Sequence, residues 1–301
     1  MTFYAFRRKK TIVYLVDTPG FDDSDKSDVE VLQELAHWLK TAYEESVILD
    51  GIIYLHRITD VRMQGSAAKN LRMFKYLCGD DALRKVILAT TRWEEVPETV
   101  GAQRETELKN TDEYWGSMVK YHSRVERHYN KRSSALRLID SYLPALPANK
   151  RDRVFLEIQN EMMTENKQLP ETKAGKSLDD ELTNNRDKLG KELTDVREML
   201  RTSTMAQDEL SAQELVKHMN RIDSKIRRLE NQKQALAKGI EEYSKSSSLK
   251  KLMKGIQMPA LQRRKDETDR KLKELEKEKT KHVLQLLKQD RQKRREAKAR
   301  K

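Results

Sequence analysis

The chain has 301 residues, a formal net charge of +12 and one cysteine. Charged and hydrophobic residues each make up 37% of it, a mixture too polar for a single compact globule and typical of a globular part joined to long solvated helices. One cysteine excludes an internal disulfide, and no apolar run approaches the ~20 residues of a membrane-spanning helix, so we expect a soluble, cytoplasmic protein.

Predicted strands and helices alternate over residues 1–143. Short apolar runs rich in β-branched residues predict strands at 11–16, 48–56 and 85–91, and residues 4–8 are expected to pair with the first of these as an edge strand. Periodic apolar positions predict helices at 28–43, 67–78, 105–120 and 133–143. This alternation is typical of α/β proteins, in which helices cover both faces of a mostly parallel sheet.

A polar connector is expected at 144–176 and a helical tail at 177–301. Apolar residues spaced alternately by three and four positions predict an a/d heptad seam between Ala212 and Tyr243. Such a seam predicts a coiled coil for self-association or for docking a protein partner, or else a hairpin of two helices within one chain. The simplest alternative is a solvated helix with salt-bridged faces.

The positive charge is concentrated at the end of the tail. Residues 245–301 contain 21 Lys and Arg against 8 Asp and Glu, a net charge of +13 that leaves the rest of the chain close to neutral. Nucleic acid phosphates and anionic membrane lipids are candidate partners for this segment. Because no aromatic residue follows Ser244, stacking on bases is not supported, and a solubilising end is the alternative.

The first apolar run ends in the sequence Asp17-Thr18-Pro19-Gly20. A strand that ends in aspartate presents its carboxylate at the carboxyl edge of a parallel sheet, where ligands bind in open α/β folds. Mg²⁺ binds such carboxylates directly or through water, and a glycine lets a backbone N–H approach a phosphate. An ordinary Asp-x-Pro-Gly turn is the alternative. The apolar run before it and the long helix after it favour a phosphate site.

The third apolar run ends in Thr91-Arg92-Trp93-Glu94. An acidic side chain at this point can accept hydrogen bonds from the N1–H and N2–H₂ groups of guanine, a pair of donors that adenine lacks. The planar guanidinium of Arg92 can stack on a purine. The alternative is an ordinary exit from a strand with charged surface residues. Thr91 follows Asp17 by 74 residues, and this spacing favours the base-reading interpretation.

Four segments together resemble a known family: VDTPGFDD (16–23), DGIIYLHRITDVRMQGSAAKN (50–70), FKYLCG (74–79) and VILATTRWE (86–94). They are similar to the septin-related and immunity-associated branch of the P-loop GTPase superfamily, and more closely to fungal G-domain proteins with helical tails. The resemblance extends over roughly residues 10–175. It implies a partial G domain at 1–143, a coiled-coil arm, and binding of GTP or GDP with Mg²⁺.

The resemblance also implies roles for individual residues. Asp17 would serve Mg²⁺ indirectly, and Gly20 would contact the γ-phosphate in a loop that includes Thr18 and Pro19. Thr91, Arg92 and Glu94 would contact the base.

Two departures from the family pattern limit the expected activity. No G-x-x-x-x-G-K-[ST] phosphate loop occurs, and the triplet at 175–177 lacks both the upstream glycine and a preceding strand. Phe21 stands where small GTPases have a glutamine that orients the attacking water. We therefore expect a truncated or degenerate relative that binds GTP weakly or not at all, with hydrolysis left open. A non-enzymatic coiled-coil scaffold is the alternative function.

Overall fold

Five strands form two separate sheets in the computed structural model, which describes residues 1–9, 11–21, 25–61, 65–143, 155–205 and 209–240. Strands β1 (Thr2–Arg8) and β2 (Thr11–Asp17) form an antiparallel hairpin in which Thr2 lies opposite Asp17. Strands β3 (Ile52–Arg57), β4 (Val86–Thr91) and β5 (Arg124–Arg127) form a parallel sheet in that order. The α/β class and the predicted pairing of residues 4–8 with 11–16 are confirmed.

The expectation that residues 11–16 would join the parallel sheet is wrong. Within the described part of the chain, β2 pairs only with β1, and β3 pairs only with β4. The run of β-branched residues identified a strand correctly, but the choice of its neighbour depends on long-range pairing that local sequence does not encode.

Nine α-helices occur among the described residues, several of them a single turn long. None of the helices described is both long and apolar enough to cross a bilayer. Their bounds are α1 Asp28–Glu44, α2 Ser66–Cys78, α3 Asp80–Leu83, α4 Glu98–Asn110, α5 Ser117–Lys120, α6 Arg132–Asp140, α7 Glu157–Gln159, α8 Lys173–Met205 and α9 Glu209–Ala237. The end of the predicted seam, the rest of the helical tail beyond residue 240 and its basic end lie outside the described residues.

Strand β4 is the centre of the core, since all its residues before Thr91 are buried. On one face of the sheet, Ile87 and Ala89 pack against Leu138 of α6. On the other face, Tyr54 of β3 contacts Phe74 of α2 with ring centroids 4.8 Å apart. Helices therefore cover both faces of the parallel sheet, as the alternating pattern predicts.

The predicted helix at 105–120 is broken in the structure. Helix α4 ends at Asn110, a π-helical turn spans Asp112–Gly116, and α5 begins at Ser117. The backbone of Tyr114 has a non-helical conformation, and the next residue, Trp115, is completely buried. The break places the indole of Trp115 in the core. A continuous helix here has only a weak apolar face and does not bury this side chain.

Helices α8 and α9 form an antiparallel hairpin, here called the arm. The antiparallel direction follows from contacts of Lys233 with Asp179 at 3.3 Å and of His218 with Glu192 at 3.1 Å. In the centre, Ile222 is buried against Leu193 and Val196, with other seam residues packed around them. The predicted apolar positions of α9 are thus used within the chain, against α8.

The arm is attached to the α/β part by partly buried polar contacts. Lys69 at the start of α2 pairs with Asp28 of α1 at 2.5 Å and with Glu181 of α8 at 2.6 Å. Burial lowers the pKa of Lys69, but hydrogen bonds to the two carboxylates outweigh burial and the pKa is raised. Gln33 of α1 donates to the carbonyl of Ala235 at 2.7 Å. Three helices therefore meet at one charged cluster.

We predict that Lys69→Met lowers the free energy of unfolding by about 1–3 kcal/mol near neutral pH, because two half-buried carboxylates lose their shared cation. Since the folded-state pKa of Lys69 is raised, this contribution is complete below its unfolded value and is lost as pH rises through the folded value. Urea unfolding of both proteins at increasing pH should therefore show a difference that closes only in alkaline solution. A difference that is unchanged there would contradict the cluster.

The arm gives a second prediction. Ile222→Asp places a charge at a site that is 1% exposed and should cost about 3–5 kcal/mol. Val216→Asp, at a site that is 43% exposed, is the matched control and should change stability by about 0.5 kcal/mol or less. Circular dichroism should show lost helicity for the first variant alone. Light scattering should show no change of mass, whereas conversion of a dimer to a monomer would contradict an intramolecular seam.

Candidate nucleotide site

The loop that follows β2 carries the predicted phosphate-binding residues. Asp17 and Thr18 are exposed and Pro19 is half-buried. The backbone of Asp17 lies opposite Thr2 in the hairpin, and its carboxylate makes no hydrogen bond or ion pair with a described residue. Gly20 lacks a positive φ, and a Cβ built on it would meet no heavy atom within 4 Å. Neither backbone strain nor packing explains a glycine at this exposed position, and its N–H donates to no described backbone carbonyl.

Contacts at the other end of this loop fix its position. Asn70 of α2 donates from its amide nitrogen to the carbonyl oxygen of Phe21 at 2.8 Å. Ser27 and Glu30 form a capping box that starts α1, with the Ser27 N–H donating to the Glu30 carboxylate at 2.8 Å. These hydrogen bonds lower the pKa of Glu30. Because α2 follows β3, the hydrogen bond from Asn70 to Phe21 places the loop after β2 beside the helix that follows the carboxyl end of β3.

The predicted base-reading residues leave the end of β4. Thr91 donates from its hydroxyl to the carbonyl of His56 at 3.2 Å. Arg92 has a left-handed backbone conformation with φ of 61°, which turns the chain from the strand into a 3₁₀ turn at Trp93–Glu95. The guanidinium of Arg92 pairs with Glu95 at 3.1 Å. Glu94 is exposed and has no partner among the described residues.

Trp93 anchors this turn to the core. The side chain is 5% exposed, and its Nε1–H donates to the Thr90 hydroxyl at 3.0 Å. The guanidinium of Arg127 lies 4.0 Å from the centre of the indole ring, and its pKa is raised by hydrogen bonding to Glu105. A buried indole between two outward-facing residues leaves Arg92 and Glu94 at the surface.

The two groups of predicted residues lie at one edge but not in one cavity. Strands β3 and β4 are parallel, so the end of β4 shares the edge at which the β2 loop lies. A cavity of about 650 Å³ between the hairpin and β3 includes Asp17, Thr18, Pro19 and Gly20. Its lining does not include Thr91, Arg92 or Glu94. The predicted convergence of both groups on a single pocket is therefore not seen in this structure.

The residues present fit Mg²⁺ only in part. Mg²⁺ takes one or two carboxylates and completes its octahedron with water and phosphate oxygens. Asp17 offers one free carboxylate, but no cluster of three or more His, Cys, Asp or Glu able to hold a metal occurs among the residues described. Asp17 by itself therefore supports a metal only together with the phosphates of a ligand.

The Gly-Lys-Ser triplet at 175–177 lies in the first turn of α8. A Cβ on Gly175 would lie 2.0 Å from the carbonyl oxygen of Leu169, so close packing explains this glycine. The N–H of Lys173 already donates to the carboxylate of Glu161 at 3.1 Å, and that of Gly175 donates to the Thr172 hydroxyl at 3.0 Å. The start of the helix is occupied by the chain's own acceptors, in agreement with the expectation that this triplet is no phosphate loop.

Three residues at this edge were not predicted from sequence. Asn70 holds the loop after β2, and Trp93 and Arg127 support the turn after β4. Trp93 carried a signal, since a large aromatic residue just after a buried strand is more often an anchor than a surface residue. Arg127 carried none, because β5 reads as a polar segment.

We predict a clear separation between anchor and surface residues at this edge. Trp93→Ala should cost about 3–5 kcal/mol, because it removes a buried indole and leaves Arg127 without its ring contact. Asp17→Ala and Glu94→Ala should each change stability by about 0.5 kcal/mol or less, since both side chains are exposed. Chemical unfolding of the three variants checks this. A loss of several kcal/mol for Glu94→Ala would mean that its role is structural.

Comparison with known proteins gives no family for the chain. No protein-family model matches it, and no curated protein is significantly similar to it. The resemblance to P-loop GTPases stays a prediction from the sequence segments that carry it.

Proposed function

We propose that this chain is a guanine-nucleotide-binding module of the switch type, with an arm for partner docking, and that its affinity for nucleotide is low. The observation that carries the proposal is the position of two ligand-like groups at one edge of an α/β fold. Asp17 and Gly20 offer an unpaired carboxylate and an open backbone N–H, and Glu94 offers a second unpaired carboxylate.

At the base end, the chemistry favours guanine. The exposed carboxylate of Glu94 can accept two hydrogen bonds from N1–H and N2–H₂, which adenine does not supply. Arg92 would have to leave Glu95, but the pair is exposed, so breaking it costs about 1 kcal/mol or less. Its planar group is then free to stack on the purine.

At the phosphate end, the contacts are too few for tight binding. Gly20 can donate one backbone N–H, and Asp17 can hold Mg²⁺ against the phosphates. The sequence contains no glycine-rich loop with its lysine, which supplies most of the phosphate contacts in P-loop proteins. Phe21 cannot orient a water for attack, so this loop provides no catalyst for hydrolysis.

A route from the loop to the arm supports a switching role. Helix α1 begins seven residues after Phe21, and its Asp28 shares Lys69 with Glu181 of the arm. Asn70, next to Lys69 in the chain, holds the carbonyl of Phe21. A ligand that moves the loop would therefore act on the cluster to which the arm is attached.

A scaffold without nucleotide chemistry is the second candidate function. The observation that favours it is the cavity between the hairpin and β3, which includes the phosphate-end residues without the base-end residues. In this alternative, the α/β part serves only to hold the arm. The two functions differ in whether the chain has any preference between nucleotides.

Titration with GTP and ATP, each with Mg²⁺, tests the proposal. We expect GTP to bind with a dissociation constant near the millimolar range and more tightly than ATP, as measured by chemical-shift changes or thermal shift. Glu94→Gln should remove the preference for GTP, because an amide replaces one acceptor by a donor. Glu107→Gln, on an exposed position of α4, is the matched control and should keep it.

The outcomes separate the candidates. Equal response to GTP and ATP, or none, would favour the scaffold and overturn the nucleotide proposal. Micromolar or tighter affinity for GTP would overturn the expectation that the missing phosphate loop impairs binding.

A further inference from the structure

We propose that the cavity between β2 and β3, here called the slot, binds an extended apolar polypeptide segment from outside these 301 residues as an additional β-strand. The slot has a volume of about 650 Å³ and is lined on one side by Leu15 and Val16 of β2 and on the other by Ile53 and Leu55 of β3. This inference does not depend on the proposed nucleotide binding.

Two unpaired strand edges line the slot. Among the described residues, β2 pairs only with β1 and β3 pairs only with β4, so each strand has one edge without a partner. The hydrogen bond from Asn70 to Phe21 connects the segment after β2 to the helix after β3, and residues of both strands line the slot. A strand in the slot would pair with both edges and join the two sheets into one of six strands.

Both faces of the slot are walled by helices. Leu138 of α6 packs on the Ile53 face of the sheet, and Phe74 of α2 packs on the Tyr54 face. All these residues line the slot. A strand between them would direct alternate side chains to apolar surroundings on both faces, which requires a continuous apolar run of about five residues.

Exposure supports this interpretation. Residues 12–16 of β2 form an apolar run, yet none of them is buried, in contrast to the fully buried run of β4. Leu55 is 61% exposed although it lies in the parallel sheet. Runs of this type belong to strands that are covered on both faces. In addition, Trp38 Nε1 and Asn70 Oδ1 are buried without partners, and both residues line the slot.

The occupant is a polypeptide outside these 301 residues. The two longer segments that the structure leaves undescribed, 144–154 and 241–301, contain no run of more than two consecutive Ala, Val, Ile, Leu, Met, Cys or aromatic residues. A second copy has no free strand to offer, since each described strand is already paired. A small apolar ligand would fill the volume but would leave both strand edges unpaired, which costs free energy when they are covered.

The first test is hydrogen exchange of the 301-residue chain, followed by NMR. We expect the amides of β2 and β3 that face the slot to exchange much faster than those of β4 in the free chain. The probe is the peptide KTVIVVITK, capped at both ends, which should slow exchange of these amides. The same peptide with alternate N-methyl groups keeps the side chains but lacks the donors, and it should bind at least about tenfold more weakly.

Two matched variants complete the test. Leu55→Arg places a charge in the slot and should weaken peptide binding about tenfold or more, whereas Val61→Arg should leave it unchanged. Both positions are exposed, at 61% and 67%, so neither variant should unfold the chain.

Four results would overturn the proposal. The first is exchange of the slot amides as slow as that of the β4 amides in a free, monomeric chain. The second is equally tight binding of the N-methylated and unmodified peptides, and the third is no protection of the slot amides up to the solubility limit of the peptide. The fourth is protection of the slot amides without peptide that disappears when a dimer dissociates on dilution. The second result would assign the slot to apolar ligands and the last to a second copy. The GTP titration has a different readout, the preference for GTP over ATP, so failure of one proposal is distinguishable from failure of the other.

Discussion

The absence of a hydrogen-bonded ladder between β2 and β3 governs the described structure. The β1–β2 hairpin is held to the rest of the α/β part by side chains and by its connection to α1. Arg8 donates two hydrogen bonds to the carboxylate of Asp140 in α6, at 2.8 and 2.7 Å, and the N-terminal amine pairs with Glu34 of α1. These contacts are partly solvated, so they hold the hairpin less firmly than a ladder would.

This constraint bears directly on the candidate site. Asp17 lies on the hairpin and Glu94 follows the parallel sheet, so the separation of the two carboxylates depends on side-chain contacts between two independent units of backbone. In a continuous sheet, the same separation is fixed by strand spacing and register. The position of Asp17 relative to Glu94 is therefore less firmly fixed than the positions of two residues in one sheet.

Sequence reasoning succeeded where the determinant is local. The buried run of β4 and the amphipathic face of α1 gave correct elements, because burial and periodicity are written into short segments. The seam of α9 gave the positions that pack against another helix, but not which helix this is, since periodicity describes a face and not what covers it.

The failures have a common physical origin. Strand β5 was missed because an edge strand with polar side chains lacks the alternation of a half-buried one. The break after α4 depends on where Trp115 is buried, which is decided by the fold. The membership of β2 in a sheet, and the contact of Asn70 with Phe21, involve residues far apart in the chain. Local patterns cannot specify such pairings.

The slot and the nucleotide proposal are linked, because both depend on how firmly the hairpin is held against the parallel sheet. A strand bound between β2 and β3 would fix the hairpin to the parallel sheet, and so fix Asp17 relative to Glu94. A ligand that contacts both carboxylates would bind more tightly to this ordered form, because the cost of ordering is already met by the strand. By linkage, the same ligand would strengthen binding of the strand by an equal factor. The missing backbone connection between the two sheets then leaves two strand edges unpaired and adds to the missing phosphate loop as a cause of the weak nucleotide affinity proposed for the chain.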